Sequence, residues 1–487
     1  MKVKDILIRQ KDNTKIAIVY DNKRITYKQL YNTVLQHVKK IDELQHNRNV
    51  GIFFHNSIDY AIAYFTVCCN DDVIIPIEDN IKEDKLKGII KYCEISLIIT
   101  NSENLGVLKK MLEDIPFKVT IYNIDDETVS IVGEGNALLQ GNDDEEDVCV
   151  MLHTSGTTSD PKKVMLTNKS LISNIESNIK SLNIVSEDVS LIVLPMFFGY
   201  CNSSQFLSHL YLGARLVIYK SYFMPRNFLK LIEEEKCTNT TCVPSMLFLT
   251  IKSCKKENFN LSSLRYLCFG GGAMPVDMLE KIISFFSNTG IVQTYGQTEA
   301  SPRVTALLPQ DAIRKIGSVG KAIPNVEIQI FDKNDKPVSN GEIGQIVVKG
   351  PNIMKGYYKK PDITKETLKG GWLHTGDLGR FDSDGYLYII GRIKNIIISG
   401  GLNIYPEEIE EVIINYPEVK EVVVVPEHHD ILGEVPVAKI LLIEDAKIEL
   451  KELNKFCAER LPANKVPSKF VICEQLEKTY TGKIKRS

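Results

Sequence analysis

An α/β fold is predicted, with a large N-terminal region of helix-covered parallel sheets, a small β-subdomain and a small α+β domain at the C-terminus. Three observations carry this. Up to about residue 320, short apolar runs alternate with stretches of helical periodicity. Between about 325 and 391 the pattern turns to strands and turn residues alone. After Arg392 a fresh mixture of strand and helix signals begins.

In the first region, "VCVML", "SLIVLP", "ARLVIY", "LRYLCF" and "GIVQTY" read as buried strands. The segment after Asn168 places Leu171, Ile172, Ile175, Ile179 and Leu182 on one helical face, and Asn168 is expected to cap it. Pro275 suits the first position of the next helix. Strand–helix alternation of this kind implies parallel sheets with helices over them. In the second region "VEIQIF", "GQIVVKG" and "GYLYIIG" are strand-like, with no convincing helix between them. The third region contains "NIIIS", a helix-like "PEEIEEVIINY", "VKEVVVVPE", "EVPVAKILLI", a helix near 447–460 and "KFVIC".

Composition narrows the function. The 487 residues carry a net charge of −3, which favours neither nucleic acid nor an anionic membrane as a partner. The apolar run "YAIAYFTVCC" is too short to span a bilayer. The 11 cysteines form no C-x-x-C pair and sit mostly in apolar runs, as reduced thiols of a cytoplasmic protein do.

Five polar or glycine-rich strings interrupt the apolar pattern. "HTSGTTSDPKK" follows a strand; its glycine and hydroxyl residues can bend the backbone and offer N–H and O–H donors to an anion, and Lys162 adds an ammonium. It is not a G-x-x-x-x-G-K-[ST] loop. "YGQTEASPR" also follows a strand. There Tyr295 offers a flat face, Thr298 a hydroxyl and Glu299 a hard oxygen for Mg²⁺. Upstream, "FGGGAMP" has three glycines at a strand end, where a planar ligand can approach the backbone. In "GWLHTGDLGRFDSDGYLYIIGRIKNIIISGGLNIYPEEIE", Asp377 can accept hydrogen bonds from two vicinal hydroxyls. Arg392 can donate to the same sugar or to a phosphate. "KTYTGKIKR" closes the chain with Lys483 in a short basic tail. Taken alone, Lys483 reads as a solvated lysine, Glu299 as a solvated carboxylate and the glycine run also as a tight turn, whereas the first string as a whole points to an anion.

Together, and in this order and spacing, the strings resemble the adenylate-forming superfamily of acyl- and aryl-CoA synthetases, peptide-synthetase adenylation domains and luciferase. The resemblance spans essentially the whole chain. It implies an N-terminal adenylation core over 1–391, with two helix-covered sheets and a small β-barrel-like subdomain over about 325–391. It implies a mobile α+β domain over 392–487, with Lys394 at the hinge position. The reaction it implies has two steps: a carboxylate attacks the α-phosphorus of MgATP, and a thiol then displaces AMP from the acyl-adenylate.

Residue by residue, the resemblance assigns the β- and γ-phosphates to Thr154, Ser155, Gly156, Thr157, Thr158 and Lys162. Adenine falls between Tyr295 and Gly270, Gly271 and Gly272, with Ala273, Gly296 and Gln297 beside it. Thr298 meets the α-phosphate, Glu299 the Mg²⁺, and Asp377 and Arg392 the ribose. Lys483 bridges the carboxylate and the α-phosphate, so Lys483, Thr298 and Glu299 are the catalytic set. Two anions must meet there, and cations and donors aimed at the developing charge are what that needs.

Two departures stand out. Ser159 and Lys163 replace glycines of the first motif, and Lys163 is expected either to strengthen the site or to face water. Phe198 stands where peptide-synthetase domains carry an aspartate for the substrate's amino group, which disfavours an α-amino acid. The expected acyl pocket of Phe198, Tyr200, Asn202, Ser203, Val243 and Phe269 is largely apolar, suited to a short or medium aliphatic acid or an aryl acid. CoA is the expected acceptor. Delivery to the phosphopantetheine arm of a carrier protein is the alternative, since both present the same thiol, and a non-catalytic nucleotide binder is a third reading.

Overall fold

Strands buried on both faces need helices on both sides, and the N-terminal region satisfies this twice. The computed structural model describes residues 1–138, 147–153, 162–220, 222–272, 274–478 and 484–486. A nine-stranded sheet runs in the order Lys321–Ala322, Arg303–Leu307, Gly290–Gly296, Tyr266–Gly270, Asn239–Cys242, Val189–Ile192, Arg215–Ile218, Ile16–Tyr20 and Lys23–Thr26. The strands from Gly290–Gly296 to Ile16–Tyr20 are parallel, and the edges are antiparallel.

An eight-stranded sheet has the order Gly356–Tyr357, Lys163–Thr167, Val148–His153, Val73–Ile77, Asn49–Phe53, Leu97–Thr100, Val119–Asn123 and Val129–Val132. Its central strands are also parallel. The strands Asn49–Phe53 and Val73–Ile77 are buried throughout, and the helix Ile58–Cys69 between them is buried almost along its length.

The helix Asn168–Leu182 buries the expected Leu171, Ile172 and Ile175. Its cap is Thr167, which accepts from Ser170 N at 3.1 Å, and not Asn168. The Asn168 amide oxygen instead accepts from Val3 N at 2.8 Å, tying down the N-terminus. Pro275 precedes the helix Val276–Phe285 as its cap residue, one position earlier than expected.

The third sheet is four-stranded and antiparallel: Glu327–Phe331, Gly344–Lys349, Leu373–Phe381 and Leu387–Arg392. A backbone bridge from Leu387 to Gly320 joins its edge to the chain leaving the nine-stranded sheet. This region also holds a short helix, Pro361–Thr367, that the strand-only reading missed. It begins with proline and aspartate but buries no residue, so it leaves no apolar stripe in the sequence.

Residues beyond Arg392 form a fourth sheet, Leu402–Ile404, Ile397–Ser399, Gly433–Leu442 and Val419–His429, with Lys469–Ile472 paired to Gly433–Leu442. Ile397, Ile409, Ile413, Val424, Ile440 and Leu453 give it a core of its own. Near the end of the chain, Arg486 donates to Glu410 Oε1 at 2.6 Å and to Val424 O at 2.9 Å. Among the described residues the cysteines are free thiols, and no helix is long and apolar enough to cross a membrane.

Candidate active site

The hairpin of Leu373–Phe381 and Leu387–Arg392 sets Asp377 directly opposite Arg392. Arg392 Nε lies 2.7 Å from Asp377 Oδ1. The other carboxylate oxygen accepts from the Tyr295 hydroxyl at 2.7 Å. Asp377 is 5% exposed, so both pairings form in a poorly solvated corner. Its carboxylate holds the Arg392 guanidinium above its ordinary value, against the effect of burial. Burial, and then the same carboxylate, push the Tyr295 phenol well upward. Tyr295, assigned from sequence to the adenine face, thus also fixes the residue assigned to the ribose.

The segment after Tyr295 turns sharply. At Gly296 an added Cβ would stand 1.9 Å from Pro302 O, so only glycine fits this close approach. Gln297 N donates to Pro302 O at 2.9 Å, and Thr298–Ala300 follows as a single 3₁₀ turn. The Glu299 carboxylate then accepts from the Tyr357 hydroxyl at 2.7 Å. Burial, followed by the Glu299 charge, raises the Tyr357 phenol. Lys162 Nζ sits 4.9 Å from the centre of the same ring. The strand Gly356–Tyr357 pairs with Lys163–Thr167, so one tyrosine links that strand to the Glu299 carboxylate. Tyr357 was not singled out from sequence; "GYYKK" carries no signal for so long-range a contact.

The glycine strand closes the other side. An added Cβ at Gly270 would meet Thr294 O and Oγ1 at 2.6 Å and the Tyr200 hydroxyl at 3.1 Å. Gly271 has φ +78°, with Val243 the nearest neighbour of its Cβ position, and Gly272 lies near Pro244. Tyr200 OH and Thr294 Oγ1 are hydrogen-bonded at 2.7 Å. Phe198 precedes the short helix Gly199–Cys201 and meets Phe197 edge-on, with centroids 4.7 Å apart. The Asn202–Leu207 turn that follows is π-helical, a geometry frequent at functional sites. Within it Asn202 Oδ1 accepts from Tyr64 OH at 3.2 Å, while its buried Nδ2 has no partner among the described residues.

Two expected pocket residues are placed differently. Ser203 donates its hydroxyl to Ser301 O at 2.6 Å, which makes it scaffold. Phe269 is wholly buried in the main core, and strand alternation turns its ring away from the face that carries Cys268 and Gly270. Its carbonyl accepts from Thr294 Oγ1 at 3.1 Å.

Lys163 neither joins the site nor faces water. It is 1% exposed, its Nζ has no hydrogen-bond partner among the described residues, and burial lowers its affinity for a proton. Lys394 lies in the turn Ile393–Asn395, where burial, then Arg392, lowers the ammonium's affinity. Thr154, Ser155, Gly156, Thr157, Thr158, Ala273 and Lys483 lie outside the described residues.

Two strand ends thus bring together an ion-paired aspartate, a tethered glutamate and a glycine-lined face. The AMP-binding enzyme family matches residues 8–358, and the C-terminal domain of AMP-binding enzymes matches 408–483. The chain belongs to the AMP-binding enzyme family. It is 34% identical over 372 residues to a feruloyl-CoA synthase of an Amycolatopsis species, covering 74% of this chain and 75% of that one. It is 36% identical over 341 residues to a 2-succinylbenzoate–CoA ligase of Bacillus licheniformis, covering 70% and 69%.

The structure superposes on o-succinylbenzoate CoA synthetase from Bacillus subtilis in complex with its acyl-adenylate intermediate. The TM-score is 0.88 at 27% identity, over 100% of this chain and 97% of that one. The same synthetase with ATP and a magnesium ion gives 0.86 at 26%, over 99% and 98%. This AMP-binding enzyme is an AMP-forming acid–CoA ligase of the acyl- or aryl-CoA synthetase type.

Proposed function

We propose that the site described above makes a CoA thioester from a carboxylic acid in two half-reactions, with the following division of roles. Asp377 and Arg392 hold the ribose, and Tyr295 with the Gly270–Gly272 strand end flanks adenine. Lys162 and the 154–158 loop take the β- and γ-phosphates, and Thr298 takes the α-phosphate. A carboxylate oxygen of the acid attacks the α-phosphorus, and the bond to the bridging oxygen of pyrophosphate breaks. The thiol of CoA then attacks the acyl carbon, AMP leaves, and the thiol proton passes to solvent. Lys483 steadies the two anions in the first step and withdraws for the second, when residues 392–487 turn about Lys394.

Glu299 suits a Mg²⁺ ion. Among the described residues no cluster of three metal-ligating side chains exists, and Mg²⁺ characteristically takes one or two carboxylates and fills its remaining positions with phosphate and water. Bound there, the ion would neutralise phosphate charge; Tyr357 fixes the carboxylate that would hold it. A cytoplasmic location is part of this reading.

The observation that carries the proposal is the convergence of the Asp377 cluster and the Glu299–Tyr357 pair on one turn, Tyr295–Glu299. The test is acid-dependent ATP–pyrophosphate exchange over aliphatic and aryl acids, followed by AMP release with CoA or with holo-carrier proteins. Exchange, and AMP release with CoA, are expected. Release with a carrier but not with CoA would replace the acceptor, and exchange only with α-amino acids would refute the acid class.

A further inference from the structure

Arg303 is a buried cation without a counter-ion. It is 2% exposed, and among the described residues it takes part in no ion pair and its Nε and Nη1 have no hydrogen-bond partner. Its position is not a loose one. Asn174, fully buried on the helix Asn168–Leu182, accepts from Arg303 N at 3.3 Å and donates to Arg303 O at 2.8 Å. The guanidinium carbon stands 5.8 Å from the centre of the Tyr200 ring. It also contacts the Cys268 thiol, where its charge, and then a hydrogen bond, work against the upward push of burial; a neutral thiol is no counter-ion.

These neighbours define one corner. Cys268 and Gly270 share a face of their strand, and the Tyr200 hydroxyl bridges from that face to Thr294. The corner adjoins the reacting end, because Gly199, next to Tyr200, has its Cβ position 3.5 Å from Thr298 Oγ1. Asp188 pairs with Arg265 at 2.7 Å and Glu299 with Tyr357, and neither contacts Arg303 among the described residues.

A buried charge left unpaired is strongly unfavourable, and arginine cannot escape by losing its proton as lysine can. A π-face eases the cost but satisfies no N–H. The fork of a guanidinium matches a carboxylate. Resting on the acid-activating reading above, we infer that Arg303 receives a second carboxylate of the substrate, so that dicarboxylic acids are the class this enzyme selects. One carboxylate is then held at Arg303 while the other is presented beside Thr298, which fixes the direction in which the acid enters.

The test is pyrophosphate exchange by the full chain with matched pairs: butanoate and butanedioate, hexanoate and hexanedioate, 3-phenylpropanoate and its ring-carboxylated analogue. In at least one pair kcat/KM for the diacid is expected to exceed that for the monoacid by about tenfold or more. Arg303→Met is expected to lower the diacid value roughly a hundredfold, mainly through KM, and to reverse the order of the pair. Arg303→Lys, a point charge without the fork, is expected to recover only part. Retained heat protection by ATP alone shows that the variants are folded; if Arg303→Met does not fold, the wild-type pairs decide. Exchange with monoacids alone, or a diacid preference unmoved by a folded Arg303→Met, overturns the inference. Exchange with no acid at all overturns the acid-activating reading beneath it.

Discussion

The Asp377 corner and the Arg303 corner flank the same strand pair, Gly290–Gly296 with Arg303–Leu307, and they treat charge in opposite ways. Asp377 is buried with both oxygens engaged, one by Arg392 and one by Tyr295. Arg303 is more deeply buried, and two of its guanidinium nitrogens have no hydrogen-bond partner among the described residues. The first corner is the one proposed to hold a ligand part that never varies, the ribose of ATP. Internal pairing keeps it in its working geometry, so little reorganisation is needed at the moment of reaction. The second corner is assigned to the part of the substrate that differs among acid–CoA ligases, and there the complement of the charge comes from the ligand.

This contrast can be broken in order of expected effect. The largest is Lys483→Ala, which removes the cation proposed to steady the two reacting anions. It is expected to cut pyrophosphate exchange by roughly 10²–10³-fold or more and to spare thioester formation from supplied acyl-adenylate. Equal loss of both half-reactions in rapid-quench assays would contradict the division of labour. Asp377→Ala comes next. Losing hydrogen bonds to a charged group is expected to raise KM for ATP by roughly 10–100-fold. An unchanged KM for ATP would show that the ribose is held elsewhere.

Tyr357→Phe removes one hydrogen bond to Glu299 and leaves the ring under Lys162. An increase of about 3–10-fold in the Mg²⁺ concentration for half-maximal exchange is expected. A shift in the acid's KM instead would place Tyr357 in the wrong corner.

The smallest effect lies on the strands flanking residues 154–161, where His153 faces Lys163. Burial, and then Lys163, push the imidazole down to about 4. The unfolded chain takes up that proton near 6.5, the folded chain only near 4. Stability is therefore complete above pH 6.5 and is lost as pH falls toward 4, by ~1–3 kcal/mol. Melting temperature against pH should show this slope in the wild type and a flatter one in His153→Phe.

What the sequence made legible follows the same contrast. Asp377, Arg392, Glu299 and Tyr295 sit in strings whose order and spacing announce them, and the fold brings them together. That Asp377 and Arg392 face each other across a hairpin was not readable, because register depends on the turn between the strands. Phe269 was assigned to the wrong face because "YLCFGGG" is apolar at every position, as strands buried on both faces are, and such a run hides its own parity. Lys163 was expected at the site or in water, and its burial depends on the strand Gly356–Tyr357 arriving from nearly two hundred residues away. Arg303 did leave a trace. A charge opening the apolar strand "RVTAL" is unusual, and unpaired burial gives it meaning.

The most direct test of the two-corner account measures KM for ATP and for the preferred acid, side by side, in Asp377→Ala and Arg303→Met. The account predicts a crossed result: Asp377→Ala raises KM for ATP with little change for the acid, and Arg303→Met raises KM for the acid with little change for ATP. Both variants moving the same KM, or each moving the other's, would contradict it.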